Sequence, residues 1–134
     1  MGQLLVVQGT EIEAARSLFH KAVRCFESLH GLQPCAQSLC CTTAAAKFPR
    51  LKAATTGILR GPGAQDWVCA AGTYFYRNSS GEDALRGLAP RMLASRTELA
   101  SGLADLDGTF ALAGHDCRTG ELRVITDRLG SLHI

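Results

Sequence analysis

The sequence predicts an α+β domain in which antiparallel sheets are covered by helices. Three observations predict it. An apolar stripe with helical spacing occupies the N-terminal third. Most other apolar residues fall in short β-rich or alternating runs punctuated by Gly and Pro. The order of these segments is strand, long helix, several strands, short helices and a hairpin, which suits helices laid on antiparallel sheets. With 134 residues, 46% hydrophobic and 19% charged, the chain reads as one globular domain spanning 1–134 with a core that needs no staples.

Leu4 to Val7 is a short apolar run, expected as a buried strand that Gly9 ends. Thr10 followed by Glu13 has the spacing of a capping box. Ile12, Ala15, Phe19, Ala22, Val23, Phe26 and Leu29 then recur at helical intervals, and Gly31 is the natural residue just past the helix end. Strands are expected over Ser38–Ala44, Ala53–Leu59 and Trp67–Tyr76, with Gly61-Pro62-Gly63 turning between the last two. Ser79 with Glu82 forms a second box, opening a short helix through Leu88 that Pro90 ends or restarts. Ser95 with Glu98 forms a third, opening a helix that places Leu99, Leu103 and Leu106 on one side. A hairpin closes the pattern: Thr109–Gly114 and Glu121–Thr126 flank Asp116–Gly120, where Gly120 can take positive φ.

Several functions are disfavoured. A net charge of +2, with scattered basic residues and no interleaved aromatics, argues against nucleic acid as partner. No apolar run is long enough for a membrane span, and the N-terminus lacks the basic and apolar regions of a signal peptide. The expectation is a cytoplasmic protein with no membrane partner. The six cysteines are then expected to be reduced thiols, and the apolar or small neighbours in SLCCTT and WVCAA suit buried structural cysteine. A zinc site would call for two close ligand pairs, which the spacing does not supply. His115-x-Cys117 could bind a metal only with distant partners, so no metal is expected. His20 and His30 are expected as exposed helix residues. Gly57 to Gly63 is Gly-rich but lacks the Gly-Lys-Ser/Thr ending of a phosphate loop.

The most informative stretch is Leu106 to Gly130, LDGTFALAGHDCRTGELRVITDRLG. It resembles the hairpin of class II glutamine amidotransferase domains, the N-terminal half of asparagine-synthetase-like enzymes, whose pattern is roughly L-x-G-x-F-A-F-x-x-x-D-x-x-x-G-x-L-x-x-x-x-D-R-x-G. The resemblance covers the last third of the chain, and extends loosely to the strand around Gly72 and to the N-terminal strand. It implies the αββα sandwich of N-terminal-nucleophile hydrolases, incomplete at its C-terminal end. It makes Asp107, Gly108, Phe110, Asp116, Gly120, Asp127, Arg128 and Gly130 the structural hairpin motif, with Asp127-Arg128 an internal ion pair or turn anchor.

The same resemblance points to an altered site. The family's nucleophilic cysteine follows the initiator Met, and here that position is Gly2. The family's Asn-Gly oxyanion pair corresponds to Ala71-Gly72, with Thr73 in place of the acid. Each oxyanion donor typically contributes about 3 kcal/mol to catalysis. Ser95-Arg96-Thr97-Glu98 is similar to the family's Ser-Asp-Thr-Glu substrate loop with a charge reversed, and is expected to be only a helix cap. Arg50-Leu51-Lys52 stands near the place of the family's Arg strand. The implied function is a degenerate domain that does not hydrolyse glutamine, forms the N-terminal part of a longer chain, and supports an ATP-dependent amide-forming synthetase domain. ATP and Mg are implied only for that downstream domain, with no cofactor in this one. Two alternatives stand beside it: an active glutamine amidotransferase supplying ammonia for asparagine-type amide synthesis, with its true start elsewhere or an internal thiol such as Cys69 as nucleophile, and a stand-alone module that homodimerises through an open sheet edge.

Overall fold

The computed structural model describes residues 3–48, 59–60 and 65–129. The expectations for Gly2, Arg50-Leu51-Lys52, most of Ala53–Leu59, Gly61-Pro62-Gly63 and Gly130 lie outside the described residues.

The chain is α+β and its sheets are antiparallel. β1 (Gln3–Gln8) leads into α1 (Ile12–His30), then β2 (Ala36–Cys40) and β3 (Thr43–Phe48). β4 (Leu59–Arg60), β5 (Trp67–Tyr76) and β6 (Ser79–Ser80) follow, then α2 (Gly81–Met92), α3 (Arg96–Ala104), β7 (Leu106–Asp116) and β8 (Glu121–Thr126). The first sheet has the order β1-β3-β2. The second has the order β4-β5-β7-β8, with β6 also paired to β5.

The period-2 alternation of the strands divides the apolar residues into three layers. On the first sheet, Val7, Ala44, Ala46 and Phe48 face α1 and pack on its Phe19 and Val23. Their neighbours point the other way: Leu4, Val6 and Ala45 meet Trp67, Cys69 and Ala113 of the second sheet. On that sheet Val68, Ala70, Tyr74, Tyr76, Phe110 and Leu112 turn outward to Ala84, Leu85, Leu88 and Met92 of α2. The layers therefore run α1, first sheet, second sheet, α2 with α3. The small residues Ala44, Ala45 and Ala46 let the central strand of the first sheet be covered on both faces, and all three are buried.

Several sequence expectations hold. β1 and β5 fall where predicted, and β8 spans the predicted residues. Gly31 closes α1 in the left-handed region at φ 61, its N–H donating to the Glu27 carbonyl. Other expectations need correction. Ser38–Ala44 is not one strand but a hairpin, because Cys40 pairs with Thr43 across a two-residue turn. Cys41 takes φ 50 in that turn. Such a turn normally carries Gly, Asn or Asp, so Cys41-Thr42 leaves no turn signature in the sequence. Only one of the three capping boxes forms. α1 begins at Ile12, after Glu11 rather than Thr10, with no side-chain cap. α2 follows Ser80, also uncapped by a side chain, and Glu82 instead pairs with Arg86 one turn on, at 2.9 Å. α2 also runs through Pro90 to Met92. Pro90 sits in the last turn, where the lost N–H costs one bond near a terminus rather than a break in the middle. Leu106 belongs to β7 and not to the preceding helix, yet it joins Leu99 and Leu103 in the same core. β7 is longer than the predicted Thr109–Gly114, because its first residues extend the ladder with β5 down to Tyr76↔Leu106.

Candidate functional site

β7 carries a distinct group of side chains at each end. At its start, the last turn of α3, the first residues of β7 and the end of β8 border an open groove that includes Asp107, Thr109, Thr126, Asp127 and Arg128. Most of the hairpin motif residues gather here, but their polar atoms serve the local backbone. The Asp107 carboxylate accepts the N–H of Gly108 at 2.8 Å. Asp127 is buried; its Oδ1 accepts the Leu129 N–H at 3.0 Å, and its own N–H donates to the Phe110 carbonyl at 3.0 Å. It is a turn anchor that ties the end of β8 to β7. Arg128 is exposed. Phe110 belongs to the core beneath α2. At the far end of the hairpin, Asp116 Oδ1 accepts the N–H groups of Arg118 and Thr119 at 2.9 and 3.2 Å, and Gly120 takes φ 70. Those backbone donors hold the Asp116 carboxyl below its ordinary range although burial pushes it up.

Ala71 and Gly72 lie inside the β5–β7 ladder, opposite Ala111 and Phe110. Gly72 has φ 106, and a Cβ there would overlap the Thr109 carbonyl oxygen and sit 2.9 Å from Phe110 Cα. Close strand contact therefore explains this glycine without an oxyanion role. Ser95 and Glu98 form the complete reciprocal cap: Ser95 Oγ accepts the Glu98 N–H at 3.3 Å, and the Ser95 N–H donates to Glu98 Oε2 at 3.2 Å. His20 and His30 are exposed on α1 as expected.

The layer between the sheets holds Cys69 and His115, and with them Lys47, which sequence reasoning did not single out. Lys47 is buried on β3, and burial lowers its pKa below the usual lysine value. Cys69 is fully buried on β5, which pushes its thiol up to about 12. His115 is fully buried and stacked on Trp67, its partner across the ladder, with ring centroids 5.9 Å apart. Burial holds its imidazole below the ordinary histidine value, against the pull of Asp66 and Asp116.

The second group of side chains lies at the end of β7. Cys40 and Cys41 come from the β2–β3 turn, Cys117 follows β7, and Gln65 precedes β5. The Cys41 and Cys117 sulfurs are 3.4 Å apart, and those of Cys40 and Cys41 are 3.8 Å apart. All three sulfurs lie within 4.8 Å of one another. Gln65 Oε1 is 3.5 Å from Cys40 Sγ, 4.0 Å from Cys41 Sγ and 3.3 Å from Cys117 Sγ. Asp66 fixes the approach of Cys117 by accepting its N–H at 2.8 Å. The expectation that the cysteines are buried structural residues holds for Cys40 and Cys69 but not for Cys41, Cys25 or Cys35, which are exposed, nor for Cys117, which is half-buried. Cys117 meets Cys41 and Gln65, 76 and 52 positions away in the sequence, and His115 is not among the group. No local spacing could show this, because the two turns meet only when the sheets stack.

Neither family models, curated proteins nor solved structures give a match to this chain.

Proposed function

We propose that this chain is a degenerate class II glutamine amidotransferase-like domain of an asparagine-synthetase-type protein. It does not hydrolyse glutamine, and it has a structural or interaction role beside an ATP-dependent amide-forming synthetase domain. The observation that carries the reading is the state of the Ala71-Gly72 pair. The hairpin motif that resembles the family persists and anchors its turns, while the paired position offers a methyl group where the family has an amide donor. Losing one oxyanion donor costs about 3 kcal/mol, or a factor of 100 or more in rate. The helix–sheet–sheet–helix order of the layers is compatible with the sandwich of N-terminal-nucleophile hydrolases and adds support. In this reading ATP and Mg2+ serve the synthetase domain, and the cytoplasm is the compartment.

Cys69 is a poor substitute nucleophile. It is fully buried between the sheets and its thiol is pushed up to about 12, so almost none is thiolate at neutral pH. The test is an ammonia-release assay with the purified chain and glutamine, alongside Cys69→Ser. No glutamine turnover above the buffer rate is expected from either. Turnover that Cys69→Ser abolishes would sink the silent-site reading in favour of an active amidotransferase. Light scattering addresses the module alternative: a homodimer with no affinity for any synthetase domain would replace the proposed role.

A further inference from the structure

We infer that Cys40, Cys41 and Cys117, with the side-chain oxygen of Gln65, form a zinc-binding site that staples the two sheets together. The inference does not depend on the amidotransferase reading.

Five of the six separations among the four donor atoms are close to the edges of a tetrahedron around one ion. A Zn–S length of about 2.3 Å and a Zn–O length near 2.1 Å require sulfur–sulfur edges of about 3.8 Å and sulfur–oxygen edges of about 3.6 Å. The sulfur–sulfur separations of 3.4 and 3.8 Å and the sulfur–oxygen separations of 3.5, 4.0 and 3.3 Å bracket those values. Chance proximity of two thiols is common in a cysteine-rich chain. Three thiols sharing one amide oxygen, drawn from three separate segments, is a much narrower arrangement.

Donor chemistry selects the ion. Three thiolates are soft ligands that favour zinc or cuprous ions over magnesium or calcium. The amide oxygen favours zinc, which accepts a fourth, harder ligand in tetrahedral geometry. Cys41 and Gln65 are exposed, which gives the ion a path in, while Cys40 is buried and anchors the site to the core. Binding balances as three S–H protons released to solvent, three Zn–S bonds formed and one lone pair donated by Gln65 Oε1, with no change of oxidation state.

The placement gives the ion a job. Cys40 and Cys41 belong to the first sheet, whereas Cys117 and Gln65 flank strands of the second. A bound ion would join the two sheets at one end of the sandwich, the end opposite the groove at the start of β7.

The test uses the full chain, reduced and stripped of metal, titrated with Co2+ and then Zn2+. One equivalent of Co2+ is expected to give thiolate-to-cobalt charge transfer and the visible bands of a tetrahedral ion, and Zn2+ to bleach them. Cys41→Ser and Cys117→Ser should each weaken Zn2+ binding on the order of 100-fold. Cys25→Ser, which alters an exposed thiol on α1, should leave it unchanged. Zn2+ should raise Tm in the parent chain and not in Cys117→Ser, with circular dichroism showing both folded. The inference is overturned by an octahedral or absent cobalt spectrum, or by equal binding in Cys117→Ser. It is also overturned if Cu+ binds and Zn2+ does not compete, or if a Cys41–Cys117 disulfide forms with Zn2+ present.

Discussion

Gly72 of β5 and Gly108 of β7 occupy equivalent places on either side of the Thr73↔Thr109 pair. Each takes positive φ, 106 and 121, and each turns its missing Cβ into the other strand's backbone. A Cβ on Gly72 would overlap the Thr109 carbonyl oxygen; one on Gly108 would overlap the Thr73 carbonyl oxygen. The two glycines let β5 and β7 bend together, so that Tyr74 and Phe110 both reach the core under α2. Gly72→Ala and Gly108→Ala should each cost about 3 kcal/mol, combining unfavourable φ with backbone overlap. Urea denaturation checks this. A loss below about 1 kcal/mol for either would show that the strands can part without harm.

Arg123 reaches from β8 to the end of α2. Its guanidinium donates to the carbonyls of Met92 and Ala94 and, at 2.8 Å, to Glu121 Oε2. It thereby satisfies carbonyls that the helix end leaves open. Arg123→Ala should cost about 2 kcal/mol, since these are charge-assisted bonds and the side chain is largely covered. Arg123→Lys should recover only part, because an ammonium cannot fork to both carbonyls and the carboxylate.

The same contact sets a pH dependence. The hydrogen bond from Arg123 holds the Glu121 carboxyl below its ordinary 4.5. Glu121 therefore adds stability that is present above pH 4.5 and lost as pH falls through the lower folded value, because the unfolded chain takes up the proton first. Glu121→Gln should flatten the acid limb of a stability-versus-pH curve by lowering the neutral plateau, with parent and variant converging as the pH falls.

The capping boxes make a paired prediction. Ser95→Ala removes an acceptor from the N–H of Glu98 and should cost about 1 kcal/mol. Thr10→Ala, at a position with the same sequence signature, should change stability by less than about 0.5 kcal/mol, because α1 starts after Glu11 and has no side-chain cap. Thermal melts of the two variants decide it; equal losses would place a cap at Thr10 after all.

Lys47 is charged in the unfolded chain up to 10.5, whereas burial makes the folded chain release the proton at lower pH. Between those values the unfolded state binds more protons, so stability rises with pH towards 10.5. Lys47→Met, which keeps the length of the chain and removes the charge, should abolish that rise. An unchanged slope in denaturation curves at alkaline pH would assign it to other groups.

The elements show what was legible. β5, β8 and the body of α1 were readable because alternation and helical spacing are local properties, and Gly31 marks a helix end by its own conformational freedom. The β2–β3 turn was not, since Cys41 holds a conformation that its side chain does not advertise. Asp116, Gly120 and Asp127 were readable as turn chemistry, which they perform: Asp116 and Asp127 accept turn N–H groups and Gly120 takes positive φ.

By itself the sequence determined the α+β class and the strand and helix periods. Only the tertiary structure decided which faces meet. Stacking two sheets through Ala45, Trp67, Cys69 and Ala113 buries Lys47 and His115. It also brings two hairpin ends and Gln65 together around three sulfurs. The physical reason is that sequence periodicity specifies one surface at a time, whereas a thiol cluster arises where two surfaces come into register.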